Sequence, residues 1–255
     1  MKESLIELKK ISKSFYKGSG YETRALDAVD LFFEKGKWTY IIGGNGSGKS
    51  TLLKIISGQI RPDEGKIFFQ SGNITQSGDV ERFRWFCHVD QHIYNNLIGS
   101  MTISENIVLS PGDDASPFPA FKGYSNDACR EKIFGGLKEF GLGLENKMDM
   151  QVRFLSGGEQ QAVVAAKLIF LNPRVMLIDE FTSALDQKLA PVILGILKKN
   201  SKLSGNTAII VTHDFAHIGA TGERVIVLDK GRVKGDYSAD ACTLTPHFLL
   251  EKLVG

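Results

Sequence analysis

The chain has 255 residues, 27 of them glycine, with 42% apolar and 24% charged residues and a formal net charge of +2. These shares are those of an ordinary globular chain and weigh against disorder, and the length gives room for one domain or two small ones. A charge so near zero, with no run of five or more basic residues, gives no footing for nucleic acid. Glycine runs well above its usual share of about 7%, so the chain needs several tight backbone sites.

Cys87, Cys129 and Cys242 lie far apart and form no C-x-x-C spacing. That argues against a disulfide framework or a zinc site, fits a reducing compartment, and makes the thiols small buried hydrophobes. The N-terminus, MKESLIELKKISKSF, lacks an apolar segment and a small-residue cleavage site, so it does not read as a signal peptide. No stretch approaches 18 apolar residues, and the best run, 163–171, is broken by Lys167. The chain is not expected to cross a membrane itself.

In chain order, residues 5–8 begin a strand and 24–34 alternate as a second. Lys35, Gly36 and Lys37 turn into the short apolar run 38–42, which stops at Gly43 and Gly44. Residues 50–57 have helical spacing through Leu52, Leu53 and Ile56. A turn over 60–65 leads to a strand candidate at 66–70, and an apolar run over 86–89 follows a mixed-charge stretch. Residues 110–128 hold three of the seven prolines and read as a long loop, solvated or contacting a partner. Helices are expected over 128–141, 159–170 and 190–199. The wholly apolar runs 175–178, 208–211 and 225–228 have the character of strands buried on both faces. Strands alternating with helices indicate an α/β fold with a parallel sheet.

Three motifs carry chemistry. Gly43, Gly44, Asn45, Gly46, Ser47, Gly48, Lys49, Ser50 and Thr51 match G-x-x-x-x-G-K-[ST] between a strand and a helix. Such a loop wraps backbone N–H groups round phosphates, with Lys49 reaching the β/γ-phosphates and Ser50 holding Mg²⁺. A dinucleotide fingerprint is excluded, because its third glycine would have to stand where Lys49 or Thr51 does. Asp179 and Glu180 close the apolar run at 175–178, at the ligand edge of a parallel sheet. Asp179 is placed to bind Mg²⁺, directly or through water, and Glu180 to polarise an attacking water; strand alternation sends the two carboxylates to opposite faces. In the LSGGEQQ run at 155–161, Ser156 with Glu159 makes a capping box at a helix entrance. Gly157 and Gly158 open that entrance to an anion.

The phosphate loop, LSGGEQQ, VMLIDE, SALD (183–186) and VTHD (211–214) occur in this order. The set resembles the ATP-binding subunits of ABC transporters, over about residues 5 to 234. The resemblance implies a RecA-like phosphate-loop core with an N-terminal antiparallel β region and an inserted helical subdomain. The core lobe would be 1–91 and 161–255, and the helical, signature-bearing lobe 92–160. It implies that Gln91 touches Mg²⁺ and water, and that His213 holds the γ-phosphate and the attacking water near Glu180. Phe15, or else Tyr16, would stack on adenine. Ser156, Gly157, Gly158, Glu159 and Asp186 would reach nucleotide across a head-to-tail homodimer or heterodimer. Partners would be an integral membrane permease and an extracytoplasmic substrate-binding protein, with no nucleic acid. The chain would lie on the cytoplasmic face of the plasma membrane.

IIGGNGSGKST, SMTISENIVL, LGLENKM and LTPHFLLEKL resemble the bacterial uptake branch of tryptophan/tyrosine or unclassified type. An exporter, a lipoprotein-release ATPase and a soluble non-transport ATPase are the alternatives. Two departures stand out: Ala162 where the family usually has Arg, and Phe181 where it commonly has Pro. His88 and His92, with no third ligand, read as structural or surface residues, as do His217 and His247. Trp38 and Trp85 read as core.

Overall fold

The computed structural model describes residues 4–109, 127–181, 188–215, 218, 223–239 and 242–254. Its centre is a six-stranded sheet in the order β10-β9-β3-β8-β7-β6. The strands are β3 (Trp38–Ile42), β6 (Phe86–Val89), β7 (Val175–Asp179), β8 (Thr207–Val211), β9 (Arg224–Asp229) and β10 (Arg232–Ser238). All neighbours pair in parallel except β9 and β10, which form an antiparallel hairpin. A second, antiparallel sheet has the order β2-β1-β4-β5, from β1 (Ser4–Phe15), β2 (Thr23–Glu34), β4 (Glu64–Phe69) and β5 (Gly72–Asn73). The α/β class and the N-terminal antiparallel region expected from sequence are therefore present.

Period-2 alternation explains why the central strands are apolar throughout. In β3, Trp38, Tyr40 and Ile42 face one core cluster, while Ile41 faces the other. In β8, Ala208 and Ile210 take the first face and Ile209 and Val211 the second. The second face packs against the antiparallel sheet and α1 (Lys49–Ser57), through Leu52, Leu53, Ile55 and Ile56. The first face is covered by α3 (Ile103–Val108), α4 (Asp127–Lys138), α5 (Gly157–Leu171), α6 (Leu189–Ser204) and α7 (Pro246–Val254). A sheet buried on both sides has no polar face to alternate with.

The two tryptophans read as core are both in packed surroundings. Trp38 is fully buried, donates from Nε1 to Ser201 Oγ at 2.8 Å, and carries the Lys198 ammonium 4.7 Å from its ring centroid. Trp85 is half-buried and stacks on Phe69 at 5.0 Å. Cys87, Cys129 and Cys242 are free and half-buried. Burial pushes the Cys87 thiol up to about 11, so it is unreactive at neutral pH.

The sequence before β6 reads as a mixed-charge stretch and does not say which way its charges point. The structure buries Arg82, the last residue of the short helix α2 (Asp79–Arg82), at 1% exposure. Its guanidinium donates to the carbonyls of Ile55 (2.7 Å) and Ile56 (2.9 Å) at the C-terminal end of α1, and to Ile74 (2.5 Å) and Thr75 (3.2 Å). A cation at that end of a helix complements the helix dipole and satisfies orphan carbonyls. Arg82→Met is expected to destabilise the fold by about 3 kcal/mol or more, because buried carbonyls lose a charged donor. A urea midpoint unchanged from wild type would count against this.

Candidate active site

Strand β3 ends in the phosphate-binding loop. Gly43 is buried there, and a Cβ on it would run into the carbonyl oxygen of Leu228. Gly48, at φ +100, is the N-cap of α1, and a Cβ on it would run into the carbonyl of Ala25. Both positions therefore require glycine. No side chain caps α1, so the N–H groups of its first turn are left for an anion. Gly44, Asn45, Gly46 and Ser50 are exposed, and Ser47 is buried. The Lys49 ammonium, on a side chain almost fully buried, donates to the carbonyls of Gly43 (2.9 Å) and Gly44 (3.0 Å). Burial lowers its pKa, and the negative charges of Glu180 and Asp179 oppose that shift. Thr51, in the first turn of α1, is half-buried.

Asp179 is the last residue of β7 and is 5% exposed. Burial raises its pKa; a hydrogen bond from Ser50 and the Lys54 charge lower it, while Glu180 and Asp90 raise it. Its Oδ1 is buried without a hydrogen-bond partner. Glu180 does not continue the strand. Its φ is +46, and its N–H donates to the Val211 carbonyl at 3.0 Å. Strand alternation therefore cannot set the relative directions of the two carboxylates; a left-handed turn at Glu180 does. Non-glycine residues held in this region are strained, and such strain clusters at functional sites.

That turn brings three candidate residues together. Glu180 Oε1 lies 2.8 Å from His213 Nε2, and Glu180 Oε2 accepts from Gln91 Nε2 at 2.9 Å. Gln91 follows β6 and His213 follows β8, so β6, β7 and β8, adjacent in the sheet, deliver the cluster from their carboxyl ends. Sequence reading missed what holds Gln91. Asp90 Oδ1 accepts from His92 N (2.9 Å) and Asn95 Nδ2 (3.0 Å), and Asn96 bonds the Asp90 backbone through both N–H and carbonyl. An Asp followed closely by two Asn residues is the turn chemistry that could have shown it. On either side of His213, Thr212 Oγ1 accepts from Asp214 N at 3.0 Å, which turns the backbone there. His88 points elsewhere: its Nδ1 pairs with Gln59 at 2.9 Å, and burial holds the ring down at about 4. It stays neutral, as a structural histidine would.

The signature residues sit at the start of α5, as expected. Ser156 Oγ accepts from Glu159 N at 3.3 Å, and Glu159 Oε2 accepts from Ser156 N at 2.8 Å, completing the capping box. Among the described residues, the side-chain bonds of Ser156 and Glu159 run to each other and to Lys147, and none reaches residues 43–51. Gly157 is exposed and has open space where a Cβ would stand. Asp186, His217 and the proline-rich stretch 110–126 lie outside the described residues. Ala162 is fully buried within α5, where an arginine would bury a charge, and Phe181 at 2% exposure fills the same core. Both departures are thus packing features.

Phe15 ends β1, half-buried, with the Lys13 ammonium 5.8 Å from its ring centroid; Tyr16, at φ +55, is 75% exposed. Asp63 fastens this strand end. It accepts from Ser14 N (2.7 Å), Lys13 Nζ (3.0 Å) and Lys17 Nζ (3.1 Å). Desolvation works to raise the carboxyl, but the Ser14 N–H and the two ammoniums hold it down at about 2, from 3.8. A depressed carboxylate stabilises the fold above its unfolded pKa, and that stabilisation is lost as pH falls through the folded value. Asp63→Asn is expected to cost about 1 kcal/mol at pH 7, after allowance for solvent screening. The gap to wild type should close between pH 4 and pH 2. A gap that persists at pH 2 in thermal melts would count against it.

A family model described as ABC transporter matches residues 26–183. A tyrosine transport ATP-binding protein of Clostridioides difficile is 32% identical over 251 residues, covering 97% of this chain and 98% of that protein. A methionine import ATP-binding protein of Mannheimia succiniciproducens is 33% identical over 232 residues, 90% of this chain but 64% of that protein. This chain therefore spans a little under two thirds of that relative's length. An ATP-binding cassette solved as a dimer in a post-hydrolysis state with ADP and Pi superposes with a TM-score of 0.77 at 31% identity, over 91% of this chain and 98% of that one. The glycine-lined anion loop and the Glu180 cluster carry the same meaning as these likenesses. The chain belongs to the ABC transporter family, as one of its ATP-binding and ATP-hydrolysing domains.

Proposed function

We propose that the chain hydrolyses ATP at a site completed by a second ATPase subunit, to drive import of a small molecule such as an amino acid through a membrane permease. The observation that carries the catalytic reading is the joining of Glu180 to both His213 and Gln91 at the sheet edge beside the phosphate loop. Lys49 and the N–H groups at the start of α1 bind and orient the triphosphate. His213 steadies Glu180, whose carboxylate accepts a hydrogen bond from the attacking water and draws its proton. Catalysis of this kind is positioning plus electrostatic stabilisation. Phe15 or Tyr16 supplies stacking area for adenine.

The donor set fits Mg²⁺. Asp179 has an orphaned buried oxygen and bonds Ser50, and the Gln91 amide stands beside Glu180. Hard oxygen donors, few in number, suit a Mg²⁺ whose remaining ligands are phosphate and water. Bound there, Mg²⁺ would neutralise charge on the phosphates during transfer.

The dimeric relative supports a pair of such subunits; in our reading that pair is head-to-tail, and Ser156, Gly157 and Gly158 are the contacts to the partner's nucleotide, with Glu159 capping their helix. Gly44, Asn45 and Gly46 of the phosphate loop are exposed, which leaves them open to such a contact. The methionine relative supports import, and both it and the tyrosine relative support an amino-acid cargo. An importer of that kind would include an extracytoplasmic substrate-binding protein. Among the described residues no helix is long and apolar enough to cross a membrane, which suits a subunit docked on a permease at the inner membrane face. We read residues 92–160 as the lobe that carries the signature and 1–91 with 161–255 as the core lobe. Co-purification with a multi-spanning permease from detergent-solubilised membranes tests the transport reading. Recovery of the native chain only from the membrane-free fraction would contradict it.

A further inference from the structure

We propose that Lys147 is a positioning residue of the ATP site: by pairing with Glu159 it keeps the signature entrance attractive to phosphate. The proposal rests on the reading above that this entrance meets the partner's nucleotide. Lys147 Nζ lies 2.5 Å from Glu159 Oε1, while the other oxygen, Oε2, is held by Ser156 N and Ser156 Oγ at 2.8 and 2.9 Å. The N-terminus of α5 carries roughly half a positive charge from the helix dipole. A bare Glu159 carboxylate in that first turn would reverse its sign towards an incoming polyanion. The Lys147 ammonium restores it.

The backbone that carries Lys147 is fixed independently of the ion pair. The 3-10 turn Leu144–Lys147 is anchored by buried Leu144 and Met148. The Met148 carbonyl accepts from both Ser104 N and Ser104 Oγ at 3.0 Å. The cap of α5 also survives without Lys147, since Ser156 and Glu159 satisfy each other. A glutamine at 159 would keep that box, because S-x-x-Q caps as S-x-x-E does. Partly exposed ion pairs contribute little to stability, so Lys147 is placed to act on phosphate rather than on folding.

The test is sedimentation velocity with ATP, in a Glu180→Gln background that slows hydrolysis. Lys147→Met should raise the dimer dissociation constant about tenfold at low salt, the combined size of two unmatched charges, one at each partly exposed site of the dimer. Adding Glu159→Gln to it should return the constant to within about twofold of the parent. The difference between Lys147→Met and its parent should shrink in about 1 M salt, where the screening length is near 3 Å. Thermal midpoints of the three proteins should agree. A Lys147→Met protein that dimerises like its parent, or a double variant no better than Lys147→Met, would overturn the proposal alone. A Glu180→Gln parent that stays monomeric with ATP would overturn the dimer reading beneath it.

Discussion

Glu180→Gln is expected to bind ATP with near-normal affinity while turnover falls by about 10²–10⁴-fold, the usual contribution of a general base. The substitution keeps the shape of the side chain and its bond to Gln91 or His213, but removes the charge that draws the water's proton. The phosphate loop is untouched, so binding persists. With hydrolysis slowed, a dimer held together by nucleotide accumulates. Gel filtration with ATP should then show a dimer for this variant. A monomer with normal phosphate release would contradict the role given to Glu180. The φ of +46 at this residue adds a second expectation: the strained turn is retained in the variant, because the backbone bond from Glu180 N to Val211 is independent of the side chain.

Lys49→Ala is expected to weaken ATP binding by about 10- to 100-fold, which corresponds to one charge-assisted hydrogen bond of about 1.5–3 kcal/mol. Among the described residues, the hydrogen bonds of the Lys49 ammonium run to the carbonyls of Gly43 and Gly44 in its own loop, and burial lowers its pKa. A phosphate brought to the loop would give this partly desolvated ammonium a directly hydrogen-bonded anion in place of neutral carbonyls. Titration of a fluorescent ATP analogue measures the change. An unaltered dissociation constant would contradict the role of the loop.

Much of the site was legible because its residues are tied to local backbone rules. The phosphate loop needs Gly43 and Gly48 where side chains would strike the Leu228 and Ala25 carbonyls. The capping box at Ser156 follows from S-x-x-E spacing. The paired apolar runs at β3, β7, β8 and β9 followed from burial on both faces. What escaped depends on tertiary placement or on signals too short to dominate. Nothing local says that Arg82 turns inward, since its four carbonyl partners come from two other segments. The helix α3 and its capping box from Thr102 to Glu105 were readable as T-x-x-E but span only six residues. Helix α7 opens with Thr245 accepting from Phe248 N at 3.2 Å and Pro246 in the first turn, an N-terminal signature too short to stand out by itself. Strand β10 hid behind Gly235, which breaks its alternation. The direction of Glu180 could not come from period-2 reasoning, because the chain leaves the strand at that residue.

On the function proposed above, one chain holds only half of each ATP site. Mixing two crippled variants tests it most directly. Lys49→Ala removes the phosphate lysine, and Gly157→Glu places a bulky anion in the open space at the signature entrance, where no neighbour stands within 4 Å. Each variant alone should hydrolyse almost no ATP. Random pairing of equal amounts should restore roughly a quarter of wild-type turnover, since half the pairs are mixed and each holds one intact site. A mixture that regains nothing, or a Gly157→Glu protein that turns over normally by itself, would contradict a site shared between two subunits.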